Sequence, residues 1–124
     1  MLQLRSMLTV ADNSGAKKVM LIGIPGQGRK KYAYIGDVIT VTVKEADPQS
    51  DIKKGNILYA VIVRTRKEKR REDGSYIRFD DNACVILQGK ETKDPKGTKV
   101  FGPIAKEIRD LGFLKVAALA PEMY

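Results

Sequence analysis

The chain has 124 residues, and 23 Lys+Arg against 15 Asp+Glu leave a formal charge of +8 with no histidine. A single cysteine, Cys84, excludes an internal disulfide, and the lack of histidine excludes a Ser-His-Asp triad, a Cys-His pair and a His-based metal site. With 43% hydrophobic and 31% charged residues the composition is that of one globular domain with its own core, and the basic balance points to a polyanionic partner, either nucleic acid or an anionic surface.

Met1 to Arg5 is followed by Asp12 before any signal-peptide core develops, and the start is not Arg/Ser-rich as a transit peptide is, so the expected location is the reducing compartment where the chain is made. Leu4–Val10 reads as a first strand, and Asp12-Asn13-Ser14-Gly15 as a turn. Val19–Ile24 is a buried strand that stops at Pro25. In Asp37–Glu45 strict alternation sets Ile39, Val41 and Val43 on one face and Val38, Thr40, Thr42 and Lys44 on the other. After a loop from Ala46 to Gly55, Ile57–Thr65 is β-branched on both faces and predicts a central strand covered on both sides. Its apolar run, Ile57 to Val63, is far short of the roughly 18 residues of a membrane span.

Asp73-Gly74 signals a hairpin turn between the basic extension of this strand and Tyr76-Ile77-Arg78-Phe79. Ala83–Leu87 supplies a further strand with Cys84 as a small core residue. Short strands without helices between them predict an antiparallel barrel or sandwich. From Pro103 the character changes. Ile104, Ile108 and Leu111 form an i, i+4, i+7 stripe that predicts a short helix stopped by Gly112, while Phe113–Ala120 is open between strand and helix. Phe101, a lone aromatic beside Val100, is expected to anchor the core at the barrel end.

The strongest charge feature is Arg64, Arg66, Lys67, Lys69, Arg70 and Arg71, six cations interrupted by Glu68, with Arg78 on the returning strand. Cations this dense repel one another until phosphates surround them, so the segment reads as an RNA-contacting hairpin. Arg29, Lys30 and Lys31 follow Gly26 and Gly28 and precede Tyr32 and Tyr34, which can stack on bases. The two glycines lack the spacing of a phosphate-binding loop. Lys17, Lys18, Lys53 and Lys54 extend the candidate RNA-binding set over other loops, as do Lys90, Lys93, Lys96 and Lys99. Such a spread suits a surface that tracks folded RNA better than a single recognition helix. Asp80 and Asp81 are adjacent and point opposite ways, one expected to cap a turn and the other to be solvated, so no acid-base pair converges. No catalytic residue, metal or cofactor is expected, and no amphipathic cationic helix suggests a membrane partner.

Ala60-Val61-Ile62-Val63, then after nine residues Asp73-Gly74, after four Phe79, after two Asn82 and after two Val85-Ile86, resembles the signature of the L-fourteen family of large-subunit ribosomal proteins. Ala11-Asp12-Asn13-Ser14-Gly15-Ala16, Val43-Lys44-Glu45-Ala46, Val63-Arg64-Thr65 and Phe101-Gly102-Pro103 resemble its other blocks, so the likeness spans the chain. The resemblance implies an all-β fold: a small closed five-stranded antiparallel barrel with a projecting basic β-hairpin and a short helical C-terminal segment from about residue 103. It implies binding to large-subunit ribosomal RNA, contacts with ribosomal proteins three and nineteen, and bridges to small-subunit RNA. It also implies a possible ribosome silencing factor docking on Thr98, Lys99 and Lys115; Lys99 stands where the family often has arginine. The length resembles the bacterial or organelle-encoded branch, which implies a cytoplasmic or an organelle ribosome. A free regulatory RNA-binding protein is the alternative.

Overall fold

The structure is a computed structural model that describes residues 2–25, 32–89 and 92–124. In chain order the elements are β1 (Met7–Val10), β2 (Ala16–Gly23), β3 (Val38–Ala46), β4 (Ile57–Arg64), β5 (Lys69–Arg70), β6 (Tyr76–Ile77), β7 (Ala83–Leu87), β8 (Pro103–Ile104), α1 (Glu107–Asp110), α2 (Leu114–Leu119) and β9 (Glu122–Met123). Strands β1, β2, β3, β4 and β7 close into a barrel, the fold expected from the sequence. One detail of that expectation is corrected. Pairs β1·β2, β2·β3, β3·β4 and β4·β7 are antiparallel, but β1·β7 is parallel. An odd ring of strands cannot alternate direction all the way round, so a closed five-stranded barrel must contain a parallel pair.

The barrel forms where alternation sends apolar residues inward. Ile39, Val41 and Val43 of β3 are fully buried, and their register partners Ala60 and Leu58 face the same interior. From Ala60 onward β4 is buried on both sides, although Ile57 at its start is exposed. The outer side of its second half is covered by the C-terminal segment, where Ala105 N–H donates to the Val63 carbonyl at 3.2 Å. Cys84 is fully buried, and burial pushes its thiol well above the ordinary range. It is a packing residue, and a thiolate there is unavailable as a nucleophile.

The C-terminal segment departs from the predicted helix. Ile104 and Ile108 are both buried, but Ile104 belongs to β8, which pairs in parallel with β9, and α1 begins only at Glu107. The stripe marks core positions on a strand and a one-turn helix, and Leu111 is exposed. Within Phe113–Ala120 the chain forms α2 (Leu114–Leu119), with Phe113 and Val116 buried. At the other end, the first strand is shorter than predicted, beginning at Met7, with Leu4 and Arg5 in a turn.

Phe101 is also corrected. Phe101 is 54% exposed, whereas Val100 is buried. The backbone explains this: Phe101 N–H donates to the Ala11 carbonyl at 2.6 Å, and its own carbonyl accepts from Arg64 Nη1 at 2.9 Å. With both backbone groups held inward, extended alternation buries Val100 and turns the Phe101 ring out. Among the described residues no helix is long and apolar enough to cross a membrane.

Candidate nucleic-acid interface

The basic segment forms the expected hairpin, with β5 paired to β6 and Arg71 N–H bonded to the Ser75 carbonyl across the turn. Gly74 sits at φ +88°, a region a side chain enters only with strain. Asp73 accepts from both Ser75 N–H and Ser75 Oγ, which holds its carboxyl below the usual value and tightens the turn. The hairpin base is fixed by Asn82, whose Oδ1 accepts from Arg66 N–H at 2.9 Å, and by Phe79 N–H donating to the Thr65 carbonyl at 2.9 Å. Arg66, Lys67, Arg70 and Arg78 are exposed on this frame, Lys69 is half-buried, and Lys67 pairs with Glu68 at 3.1 Å.

Two of the six hairpin cations are tied to the C-terminal segment. Arg64 is buried: Nε and Nη2 grip Asp81 at 2.9 and 3.2 Å, and Nη1 donates to the Phe101 and Pro103 carbonyls at 2.9 and 3.0 Å. The cause is a bulge, since Ile62 pairs with Cys84 but Arg64 pairs with Ala83, leaving Val63 as an extra residue that re-aims the strand end. Arg64 therefore joins the barrel to the C-terminal segment rather than offering its charge to RNA. Of the two adjacent carboxylates, Asp80 is the exposed one, and Asp81 is the partner of Arg64, a role neither was given in the sequence. Arg71 is half-buried as well, with Nε 2.9 Å from Glu107 Oε1 and Nη2 donating to the Tyr124 carbonyl. These ties pack the hairpin against α1 and β9, so it leans on the C-terminal segment instead of standing free.

The remaining candidate cations are dispersed. Lys17, Lys18, Lys53 and Lys54 are exposed on other loops and strands, with Lys18 Nζ 3.9 Å from Glu45 Oε2, a long and solvated pair. Arg29, Lys30, Lys31 and Lys90 lie outside the described residues. Tyr32 and Tyr34 are 40% and 43% exposed, which leaves their rings open to stacking.

A third group surrounds Thr98 and Lys99, both exposed. Their loop is gripped by Asn13, whose Oδ1 accepts from Thr98 N–H at 2.8 Å and Lys99 N–H at 3.1 Å while its amide donates to Thr98 Oγ1 at 2.9 Å. Lys115, also exposed, pairs with Asp94 Oδ1 at 3.2 Å. Among the supporting residues, Asp12 and Asn13 stand in the sequence as turn formers, Asp81 as one of an adjacent acidic pair and Asn82 as part of the family signature, and none of them reads there as a support. Their actual signal was an Asx residue followed by Ser or preceding a strand, the side chains that bond backbone most readily.

Asp12 lies buried beneath this loop, accepting from Ser14 N–H, Ser14 Oγ and Ile86 N–H at 3.0, 2.6 and 2.9 Å. Burial outweighs these bonds and raises its carboxyl above the ordinary value of 3.8. A raised acid binds its proton more tightly in the folded chain. Its stabilising contribution is thus full below the unfolded value and lost as pH rises through the folded one. In denaturant melts between about pH 7 and 4, the stability of the parent relative to Asp12→Asn is expected to rise on acidification. A difference that stays flat would show that Asp12 keeps its ordinary titration in the fold.

Compared with known proteins, residues 1–124 match the family model described as ribosomal protein L14p/L23e. The chain is 63% identical over 123 residues to the large ribosomal subunit protein uL14 of Aquifex aeolicus (strain VF5), and 62% identical to that of Aquifex pyrophilus. Each match covers 99% of this chain and 99% of the relative.

Proposed function

The chain belongs to the ribosomal protein L14p/L23e family, a structural, non-enzymatic component of the large ribosomal subunit, and from that premise we propose that residues 1–124 act as one domain that binds large-subunit ribosomal RNA directly. The observation that carries this reading is the hairpin. Arg66, Arg70 and Arg78 are exposed on a turn that Arg71, Asn82 and Asp73 hold in place. Fixed cations lose less freedom on meeting phosphates than flexible ones, so the barrel sets register while the loops supply charge. Lys17, Lys18, Lys53 and Lys54 engage RNA from other sides, and Arg29, Lys30 and Lys31 complete the set.

By family likeness, the protein sits at the subunit interface, touches ribosomal proteins three and nineteen and contributes to bridges with small-subunit RNA. Both relatives named above are bacterial, which favours a bacterial cytoplasmic ribosome over an organelle one. Sucrose-gradient sedimentation of a cell extract tests the assignment. The chain should migrate with the large subunit after a high-salt wash, and its appearance only in the soluble top fractions would refute it.

The Thr98, Lys99 and Lys115 surface is proposed as the docking site of a ribosome silencing factor. The backbone of the loop is pinned by Asn13 while the side chains of Thr98 and Lys99 are exposed. Lys99→Glu alone, which leaves every Asn13 bond in place, is expected to change stability by no more than about 0.5 kcal/mol and to weaken capture of the factor in a pull-down. Normal capture would remove the loop from that interface.

A further inference from the structure

A groove of about 760 Å³ runs between the hairpin and the C-terminal strand, lined by Arg64, Tyr76, Arg78, Asp80, Pro103 and Tyr124. Its walls are built of residues that packing alone does not explain. Tyr76 is 64% exposed and Tyr124 56% exposed, two large aromatic residues left open to solvent in the lining of one cleft. The cleft is preformed. Arg64 ties Asp81 to the Phe101 and Pro103 carbonyls, and Gly102 lies so close over it that an added Cβ would sit 2.6 Å from Nη1. Tyr124 is fixed by its N–H to the Ile104 carbonyl at 2.9 Å and by Lys106 N–H to its own carbonyl at 2.9 Å.

The charges in and around the groove differ in sign. Arg78 stands in its wall, with Arg66 and Arg70 exposed on the adjoining hairpin. Inside lie two carboxylates. Asp81 is neutralised by Arg64, whereas Asp80 is exposed and makes no hydrogen bond or ion pair with the described residues. A phosphate would be repelled by Asp80, but an exocyclic amino group would be accepted by it. Aromatic walls, an acceptor within and cations outside fit a nucleotide whose base enters while its phosphates stay on the rim.

We propose that this groove holds one unpaired, amino-bearing nucleobase of RNA, stacked on Tyr76 or Tyr124, with its flanking phosphates on Arg78 and Arg70. The inference rests on the RNA-binding reading above and adds a base-specific element to an otherwise backbone-directed surface.

The test uses the full chain and a single-stranded oligoadenylate of about ten nucleotides carrying one 2-aminopurine, with oligouridylate as the comparison. Binding should change the 2-aminopurine fluorescence, and oligoadenylate should bind more tightly than oligouridylate. At least one of Tyr76→Ala and Tyr124→Ala should weaken oligoadenylate binding by about ten- to a hundredfold, in line with the loss of one stacked base, with an unchanged salt slope and unchanged melting. Asp80→Asn should narrow the adenine-over-uracil preference. Tyrosine variants that retain parental affinity and fluorescence while RNA still binds would overturn the nucleobase pocket alone. Failure of the parent to bind either oligonucleotide or ribosomal RNA would overturn the RNA-binding reading together with it.

Discussion

Arg64→Ala is expected to lower the unfolding free energy by about 2 to 4 kcal/mol while leaving the salt slope of RNA binding unchanged. The substitution removes four hydrogen bonds, two to the Asp81 carboxylate and two to the Phe101 and Pro103 carbonyls. The remaining partners are partly wet, since the Asp81 side chain is 42% exposed and Phe101 54%, which keeps the cost below that of a fully buried broken pair. Arg64→Lys should recover little, because an ammonium cannot span a carboxylate and two carbonyls as the planar fork does. Denaturant melts and a double-mutant cycle with Asp81→Ala measure the coupling. If Arg64→Ala melts like the parent and instead lowers the salt slope by one phosphate contact, Arg64 is an RNA ligand and the strut is unimportant.

That residue also marks the limit of what the sequence made legible. The barrel could be read because a period-two pattern such as Ile39, Val41 and Val43 has one physical meaning, an inward row on a strand. The hairpin could be read because Asp73-Gly74 has a specific backbone requirement, met here at φ +88°. Arg64 could not be separated from Arg66 and Arg70 by composition. What distinguishes them is the extra residue at Val63, and a bulge leaves no mark on residue type. Phe101 failed for a related reason: an aromatic beside Val100 could occupy either side of an extended segment, and the choice was made by distant partners, Ala11 and Arg64. Ile104 and Ile108 were correctly core positions, but spacing alone could not tell a helix from a strand followed by one helical turn. In the candidate interface the cations were visible, and the Asx residues that aim them were not.

The separation of free from structural cations gives the second large effect, a contrast between neighbours. Arg66→Glu with Arg70→Glu should leave melting nearly unchanged, since both side chains are exposed and no ion pair or side-chain hydrogen bond ties either guanidinium to the described residues. The same pair should lower the salt slope of RNA binding by roughly 1.4 to 1.8 units, two phosphate contacts' worth. Arg71→Glu should do the reverse first. It sets a carboxylate against Glu107, in a pair whose side chains are 17% and 18% exposed, and removes the donor to the Tyr124 carbonyl. Like charges that far from water, in place of an ion pair, should cost about 2 to 4 kcal/mol and release the hairpin from α1 and β9. RNA affinity would then fall through misplacement of Arg66, Arg70 and Arg78. Restoring the pair with opposite polarity, Arg71→Glu together with Glu107→Arg, should recover part of the stability and part of the affinity. The order of the two losses decides the matter: if Arg71→Glu lowers the salt slope at full stability, the hairpin stands free of the C-terminal segment and its cations act independently.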